Sequence, residues 1–146
     1  MAQGAFYPTD EELVDVCLAV KEVAQRHKAF SVNLTKVSYG PPKKMPPKVV
    51  WVEGEKSDDL VDLKEDLEEY LAEKVTYRPD EKGFAPHITL ARISEFAFRQ
   101  IEPEERPEIS EEIDLPFLVE SIEVMESELK REGPEYIIVE SHNLQE

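Results

Sequence analysis

The sequence has 146 residues, of which 40% are hydrophobic and 34% charged, and its formal net charge at pH 7 is −16. This length and hydrophobic content predict one folded domain over residues 1–146 with a single core, and they argue against disorder and against a tandem array. No apolar run is long enough to cross a bilayer, so the sequence favours a cytoplasmic protein without a membrane segment.

The cysteine and histidine content argues against disulfides and metal centres. Cys17 is the single cysteine, which excludes an intrachain disulfide, and the three histidines are dispersed without the ligand spacing of a zinc site. Cys17 falls among apolar residues at helical spacing, a setting that favours packing over a reactive thiol. The sequence therefore predicts neither a bound metal nor a cofactor.

The charge is unevenly distributed along the chain. Acidic residues dominate between Glu102 and Asp114, whereas the stretch from Asn33 to Val50 contains four lysines and no carboxylate. An acidic surface repels the phosphates of nucleic acids, but a local basic site can still attract them. Lys43 and Lys44 are candidates for that site, although their position alone favours a role in solvating a proline-rich loop.

The first half of the chain predicts two helices and two strands. Thr9 and Glu12 form a capping box for a helix whose apolar residues recur up to about Ala24. Alternating apolar residues predict a strand from Phe30 to about Gly40, followed by a proline-rich loop. A β-prone run, 49–52, stops at Gly54, and a second helix begins after Ser57 with an apolar face formed by Leu60, Leu63, Leu67, Tyr70 and Leu71.

The second half predicts three strands. After a polar turn, 78–83, a strand is expected over 87–92 and a short helix over 95–101, followed by an acidic linker, 102–107. Two further strands, one within 117–127 and one over 136–141, are predicted to form a hairpin that turns at 132–134. This order, without glycine motifs for nucleotides, predicts an α+β fold with a largely antiparallel sheet.

The strand from His87 carries the residues best suited to chemistry. Because side chains alternate along a strand, His87 and Thr89 point to one face, while Ile88 and Leu90 point to the other, which is predicted to be core. An imidazole can donate or accept a proton near neutral pH, and a hydroxyl can bind the same oxygen. By itself, a His-x-Thr tripeptide is a weak signal, because a lone histidine on a strand is more often a structural residue.

The segment Phe84-Ala85-Pro86-His87-Ile88-Thr89-Leu90-Ala91-Arg92 resembles the second signature of the 2H phosphoesterases, in particular the family of 2'-5' RNA ligases and RNA 2',3'-cyclic phosphodiesterases. The resemblance continues upstream in a proline-rich loop, a tryptophan-bearing strand and a leucine-rich helix. It continues downstream in a closing pair of strands. It covers nearly all of the chain from about Thr9, but it is specific only around His87.

This resemblance implies a bilobal fold of antiparallel sheets in which two His-x-Thr motifs face each other across a cleft. It implies metal-independent cleavage of the 2',3'-cyclic phosphate ends of RNA, or of small cyclic nucleotides, to 2'-phosphates. His87 would then be one acid/base group and Thr89 a phosphate ligand. Arg92, farther along the same face, would be an electrostatic contributor or, equally, a member of a surface ion pair. Lys43 and Lys44 would contact phosphates, and Tyr39 and Phe84 could stack on a base.

The chain departs from the family pattern at its first motif. That motif should precede the helix that begins after Thr9, but no histidine precedes His27. Neither His27 nor His142 has a hydroxyl residue two positions later, and both are interpreted as surface or structural residues. We therefore expect an N-terminally truncated fold with weak or impaired activity.

Three functional hypotheses stay open at this point. The chain could be an enzyme, a noncatalytic module that binds nucleotides or RNA ends, or a folded remnant with only an interaction role. A sheet that lacks strands exposes unpaired edges, which predicts self-association into at least a homodimer.

Overall fold

The computed structural model describes residues 7–76 and 84–146. Its elements, in chain order, are α1 (Asp10–Ala24), β1 (Phe30–Gly40), β2 (Val49–Gly54), α2 (Asp58–Lys74), β3 (His87–Arg92), α3 (Glu95–Arg99), a 3₁₀ turn (Pro103–Glu105), β4 (Ser110–Val119), β5 (Ser121–Lys130) and β6 (Gly133–Asn143). They confirm the predicted α+β class. None of the described helices is long and apolar enough to cross a membrane.

The capping box predicted for α1 is present. The Thr9 hydroxyl accepts a hydrogen bond from the Glu12 amide, and a Glu12 carboxylate oxygen accepts one from the Thr9 amide, each at 3.2 Å. These bonds satisfy two of the amides that a helix start leaves unpaired. The apolar stripe is fully buried only in the second half of the helix, at Ala19, Val20, Val23 and Ala24.

The described residues divide into two compact units. The first comprises 7–30, 58–76 and 118–146, and the second comprises 31–57 and 84–117. That the whole chain forms the single domain expected from its length stays a prediction.

In the first unit, α1 and α2 pack together and α1 packs on the antiparallel pair β5–β6. The buried centre contains Val23, Ala24, Leu63 and Leu144, and partly buried apolar side chains surround it. Burial of such side chains stabilises a fold by about 1.5–3 kcal/mol each. The predicted hairpin is confirmed, with Gly133 at a φ of 125° directly after its two-residue turn.

In the second unit, four strands form a sheet in the order β3-β2-β1-β4. Strand β2 pairs antiparallel with both β1 and β3. Val32, Leu34 and Val52 of this sheet are buried, as is Phe98 of α3. β3 and β4 therefore occupy the two edges.

One prediction for the second half was wrong. The strand expected within 117–127 is divided at Glu120 between β4 and β5, and β4 begins at Ser110, in a stretch for which the sequence predicted no strand. Pro116 and the carboxylates of β4 are tolerated because the strand lies at an edge. The predicted turn at 78–83 lies outside the described residues.

Candidate active site

The strand register places His87 and Thr89 on one face of the second unit's sheet. Thr89 lies directly opposite Trp51, and His87 lies opposite Glu53. Trp51 and Glu53 are two residues apart on β2, so all four side chains project from the same face. His87 and Thr89 are both exposed, so a ligand in solvent can reach them.

One hydrogen bond defines the protonation pattern of the His87 ring. Its Nδ1 lies 3.1 Å from the carbonyl oxygen of Ala85. A carbonyl oxygen can only accept a hydrogen bond, so this contact requires a proton on Nδ1. In the neutral ring, Nε2 then carries the lone pair, and in the charged ring it carries a transferable proton. His87 can thus act as a base or as an acid through Nε2.

The face of β3 opposite His87 is less buried than predicted. Ile88 and Leu90 were expected to be core, but they are 42% and 58% exposed. Ile88 shares its face with the buried Val52, yet it belongs to an edge strand that is covered on one side only. Leu90 falls where the register between β2 and β3 shifts.

The same register shift determines the position of Arg92. Strict alternation from His87 and Thr89 would bring Ala91, not Arg92, to their face. A β-bulge lies at this point because Trp51 pairs with Thr89 while Val50 pairs with Ala91 and Val49 with Arg92. Arg92 therefore lies on the face of His87, at the far end of the strand.

The proline-rich loop that carries Lys43 and Lys44 joins the sheet at the end where Arg92 lies. Residues 41–48 connect Gly40 to Val49, which pair with each other, and the Lys48 carbonyl accepts a hydrogen bond of 2.9 Å from the Ile93 amide. Lys43 and Lys44 are exposed in this loop. Phe84 is half-buried, three residues before His87. These positions are compatible with contacts to a ligand, and the assigned roles stay predictions.

Tyr39 has packing partners of its own. Its hydroxyl donates a hydrogen bond of 2.6 Å to the Pro107 carbonyl, and its ring contacts Phe98 edge-on with 6.0 Å between centroids. In the register Tyr39 pairs with Val50, whereas its neighbour Ser38 pairs with Trp51. Tyr39 thus lies on the face opposite Trp51, which supports packing as its role.

The other two histidines contact carboxylates in the first unit. His27 Nε2 lies 2.7 Å from Asp66, which also binds Arg26 at 2.7 Å. His142 Nε2 lies 3.2 Å from Glu140. His27 Nε2 is hydrogen-bonded to Asp66, whereas His142 Nε2 is buried beside Glu140 without a hydrogen bond to any described residue. The structural role of both residues stays a prediction.

The Cys17 thiol lies in the same region of the first unit. Burial, and to a smaller extent its hydrogen bond with Glu140, raises the pKa of Cys17 from 9.0 to about 11. The hydrogen bond from Cys17 and the nearby His142 hold the pKa of Glu140 below its usual range. A thiol with so high a pKa is largely protonated at neutral pH, which agrees with a packing role.

Sequence reasoning missed two contributors to the His87 environment. The Ala85 carbonyl is a backbone group and leaves no trace in residue type. Trp51 belongs to the apolar run 49–52, whose composition favours core packing, but its indole contacts the His87 ring with 4.7 Å between centroids. No signal in the sequence alone identifies this contact, because it depends on the pairing of β2 with β3. Within 7–76 and 84–146, no three His, Cys, Asp or Glu side chains are grouped to hold a metal ion.

Comparison with known proteins identifies relatives of the whole described fold. Residues 5–131 match the family model of the 2'-5' RNA ligase superfamily. The chain is 31% identical over 140 residues to an RNA 2',3'-cyclic phosphodiesterase of Thermus thermophilus, covering 92% of this chain and 66% of that protein. The chain thus spans slightly less than two thirds of this relative's length.

Solved structures show the same architecture. The crystal structure of TT0787 from Thermus thermophilus aligns with a TM-score of 0.69 and 26% identity, covering 95% of this chain and 73% of that one. The structure of Escherichia coli LigT complexed with 3'-AMP aligns with a TM-score of 0.67 over 95% of this chain and 72% of LigT. At 19% identity, the likeness to LigT concerns the fold alone.

Proposed function

The chain belongs to the 2'-5' RNA ligase superfamily, and we propose that it supplies one His-x-Thr half of a metal-independent phosphodiesterase site for 2',3'-cyclic phosphates. The observation that carries this proposal is the orientation of His87. Its Nδ1 bonds to the Ala85 carbonyl, which leaves Nε2 for proton transfer beside the hydroxyl-bearing Thr89.

The proposed reaction is hydrolysis of the cyclic ester. Water attacks phosphorus, the bond from phosphorus to the ribose 3' oxygen breaks, and that oxygen takes up a proton, which leaves a 2'-phosphate and a 3'-hydroxyl. His87 Nε2 either takes the proton of the water or donates one to the leaving oxygen. The Thr89 hydroxyl donates a hydrogen bond to a phosphate oxygen, and Arg92, Lys43 and Lys44 supply positive charge from the other end of the face.

The substrate class follows from the same chemistry. A cyclic phosphate at the 3' end of RNA and a small nucleoside cyclic phosphate present the same five-membered ester to His87 and Thr89. The Thermus relative is named for RNA 2',3'-cyclic phosphates, which supports RNA ends as the substrate. A second positioned acid/base group typically contributes a factor of about 10² to 10⁴. Because the sequence contains one His-x-Thr motif, we expect slow turnover.

The test is an assay of the chain with cytidine 2',3'-cyclic phosphate, with products resolved as 2'- and 3'-phosphates. We expect slow formation of the 2'-phosphate, unchanged by EDTA. Loss of turnover on chelation with rescue by a divalent ion would contradict the proposed mechanism.

A binding measurement with the same nucleotide separates the remaining hypotheses. Calorimetric titration that detects binding without any product would indicate a noncatalytic module for nucleotides or RNA ends. If the titration detects no binding and the assay detects no product, the hypothesis that remains is a fold with only an interaction role.

We also propose that copies of the chain associate through the β5–β6 pair. Met125 lies opposite Ile138, and Ser127 opposite Tyr136, so one face of the hairpin carries apolar side chains, of which Leu129 is 86% exposed. The other face includes the buried Val124. The pair is supported by α1, but an added strand can still extend a two-stranded sheet at its edge. A second copy can provide it by pairing β6 with β6.

The charges on β6 restrict how two copies could pair. In an antiparallel pair centred on Ile138, Glu135 faces Ser141 and Glu140 faces Tyr136, so no two carboxylates are opposed. Ile138→Lys should abolish an association that sedimentation velocity detects at moderate salt. Glu128→Gln, which changes the net charge equally on the other face, should not. A monomeric wild type at all concentrations would contradict the proposal.

A further inference from the structure

The His87 ring has two neighbours that restrict its orientation. One is the Ala85 carbonyl, at 3.1 Å from Nδ1, and the other is the Trp51 indole, whose centroid lies 4.7 Å from that of the imidazole at an interplanar angle of 44°. A single hydrogen bond on an exposed strand leaves the ring free to rotate whenever the bond opens. An aromatic surface against one side of the ring opposes that rotation by packing.

The Trp51 indole is itself accommodated by the absence of a side chain at Gly40. A Cβ atom at Gly40 would lie 2.4 Å from Trp51 Cε2 and 2.5 Å from Cδ2, distances that real Cβ atoms do not show. Gly40 does not have the positive φ that would itself require a glycine; among the described glycines, Gly133 has one. The requirement at Gly40 is therefore for space, and the atoms that use this space belong to Trp51.

Packing alone does not account for an indole at this position. Trp51 Nε1 is buried and lacks a hydrogen-bond partner within the described part of the chain. A buried, unpaired donor costs about 1–3 kcal/mol, a cost that a phenylalanine ring would not carry. The large flat surface that the indole presents to His87 offers a reason for the tryptophan.

We infer that Trp51 is a positioning residue for His87: its indole, lying over Gly40, holds the imidazole with Nδ1 on the Ala85 carbonyl and Nε2 towards solvent. This inference rests on the proposed function, because it explains how the proton-transferring nitrogen is oriented. It assigns Trp51 no contact with the substrate.

The test is the tautomer of His87, measured by long-range ¹H–¹⁵N NMR on the ligand-free chain, with His87→Gln to assign the signals. In the wild type we expect the neutral ring to carry its proton on Nδ1. In Trp51→Leu we expect a mixture with the Nε2–H tautomer that free imidazole side chains prefer. Trp51→Phe, whose smaller ring covers less of the imidazole, should give a mixture between that of the wild type and that of Trp51→Leu.

Gly40→Ala provides an independent arm if Trp51→Leu does not fold. The added methyl should displace the indole, so the His87 protons should lose the upfield shift that a neighbouring aromatic ring produces, and the tautomers should again mix. In a chain that turns over, Trp51→Leu should lower kcat about tenfold and change KM little.

Retention of a pure Nδ1–H tautomer in folded Trp51→Leu or in Gly40→Ala would overturn the inference. The NMR result does not depend on turnover. An inactive chain with the expected tautomers would therefore count against the proposed function and not against the role of Trp51.

Discussion

Strands β3 and β6 each carry one histidine, and the two imidazoles have different surroundings. On β3, His87 is exposed, its Nδ1 bonds to a neutral carbonyl, and Thr89 lies two residues later. On β6, the side chain of His142 is 15% exposed, its Nε2 lies 3.2 Å from the Glu140 carboxylate, and the buried Leu144 takes the place of the hydroxyl residue.

The comparison separates two uses of one residue type on one kind of strand. A carbonyl partner fixes the His87 ring and leaves its outer nitrogen available, whereas the outer nitrogen of His142 is buried beside the Glu140 carboxylate, out of the reach of a ligand in solvent. The two histidines differ in the exposure of the outer nitrogen and in the residue type two positions later. Substitutions on and around the two strands test this distinction.

The largest expected effect concerns the two histidines themselves. His87→Ala should reduce cyclic phosphodiesterase turnover by a factor of about 10² to 10⁴, because it removes a proton-transfer group. His142→Ala is the matched control. We expect its turnover per folded molecule to stay within about threefold of the wild type, far less than the loss that removal of a positioned acid or base causes. The measurement is the initial rate of 2'-phosphate formation, corrected for the folded fraction by circular dichroism. Equal losses in both variants would remove the distinction between the strands.

The next prediction concerns Cys17, which hydrogen-bonds to Glu140 on β6. With its pKa raised from 9.0 to about 11, Cys17 should carry about a hundredfold less thiolate at pH 8 than in the unfolded chain, and iodoacetamide should react correspondingly more slowly. Because the unfolded thiol ionises first, the same shift predicts that stability falls as the pH rises from about 9 towards 11.

The control for Cys17 is alkylation in guanidinium chloride, where the rate should rise to that of an ordinary thiol. Glu140→Gln should speed the reaction of the folded chain only in part, because burial is the largest cause of the shift. Reaction of native Cys17 at the unfolded rate would show a reactive thiol beside β6.

Thr89 tests the second half of the β3 motif. Thr89→Val removes a hydrogen bond to a charged phosphate oxygen, worth about 1.5–3 kcal/mol, so kcat/KM should fall by about ten- to a hundredfold. Thr89→Ser keeps the hydroxyl and should restore most of the activity. Thr35→Val on β1, outside the proposed site, is the matched control, and an equal loss there would point to a general effect on the sheet.

The sequence predicted those features that depend on residue type and alternation. The capping box of α1 needs only Thr9 and Glu12, and the shared face of His87 and Thr89 follows from strand geometry alone. Both are present in the structure. The family resemblance in the His87 segment agrees with the relatives found by comparison.

The features that sequence could not predict depend on tertiary pairing. The bulge that brings Arg92 to the face of His87 exists only in the register between β2 and β3. Strand β4 is rich in residues with low β-propensity and forms beside β1 at a sheet edge, where the pairing outweighs that propensity. The exposure of Ile88 also follows from an edge position, which alternation within one strand does not reveal.

The smallest expected effect concerns the third histidine, His27. Asp66 joins the end of α1 to α2 by accepting contacts of 2.7 Å from both Arg26 and His27. The Arg26 and Asp66 side chains are 42% and 29% exposed, so solvent weakens the pair, and Asp66→Asn should cost about 1 kcal/mol of unfolding free energy, or about 2–4 °C in Tm. Asp62 is exposed one turn earlier on α2. Asp62→Asn removes the same charge and should change Tm by less than roughly 1 °C, as expected of a neutral surface substitution.

Thermal unfolding followed by circular dichroism measures both variants. Turnover should be the same in both, because Asp66 holds His27 as a structural partner, and a selective loss of activity in Asp66→Asn would give His27 a part in catalysis.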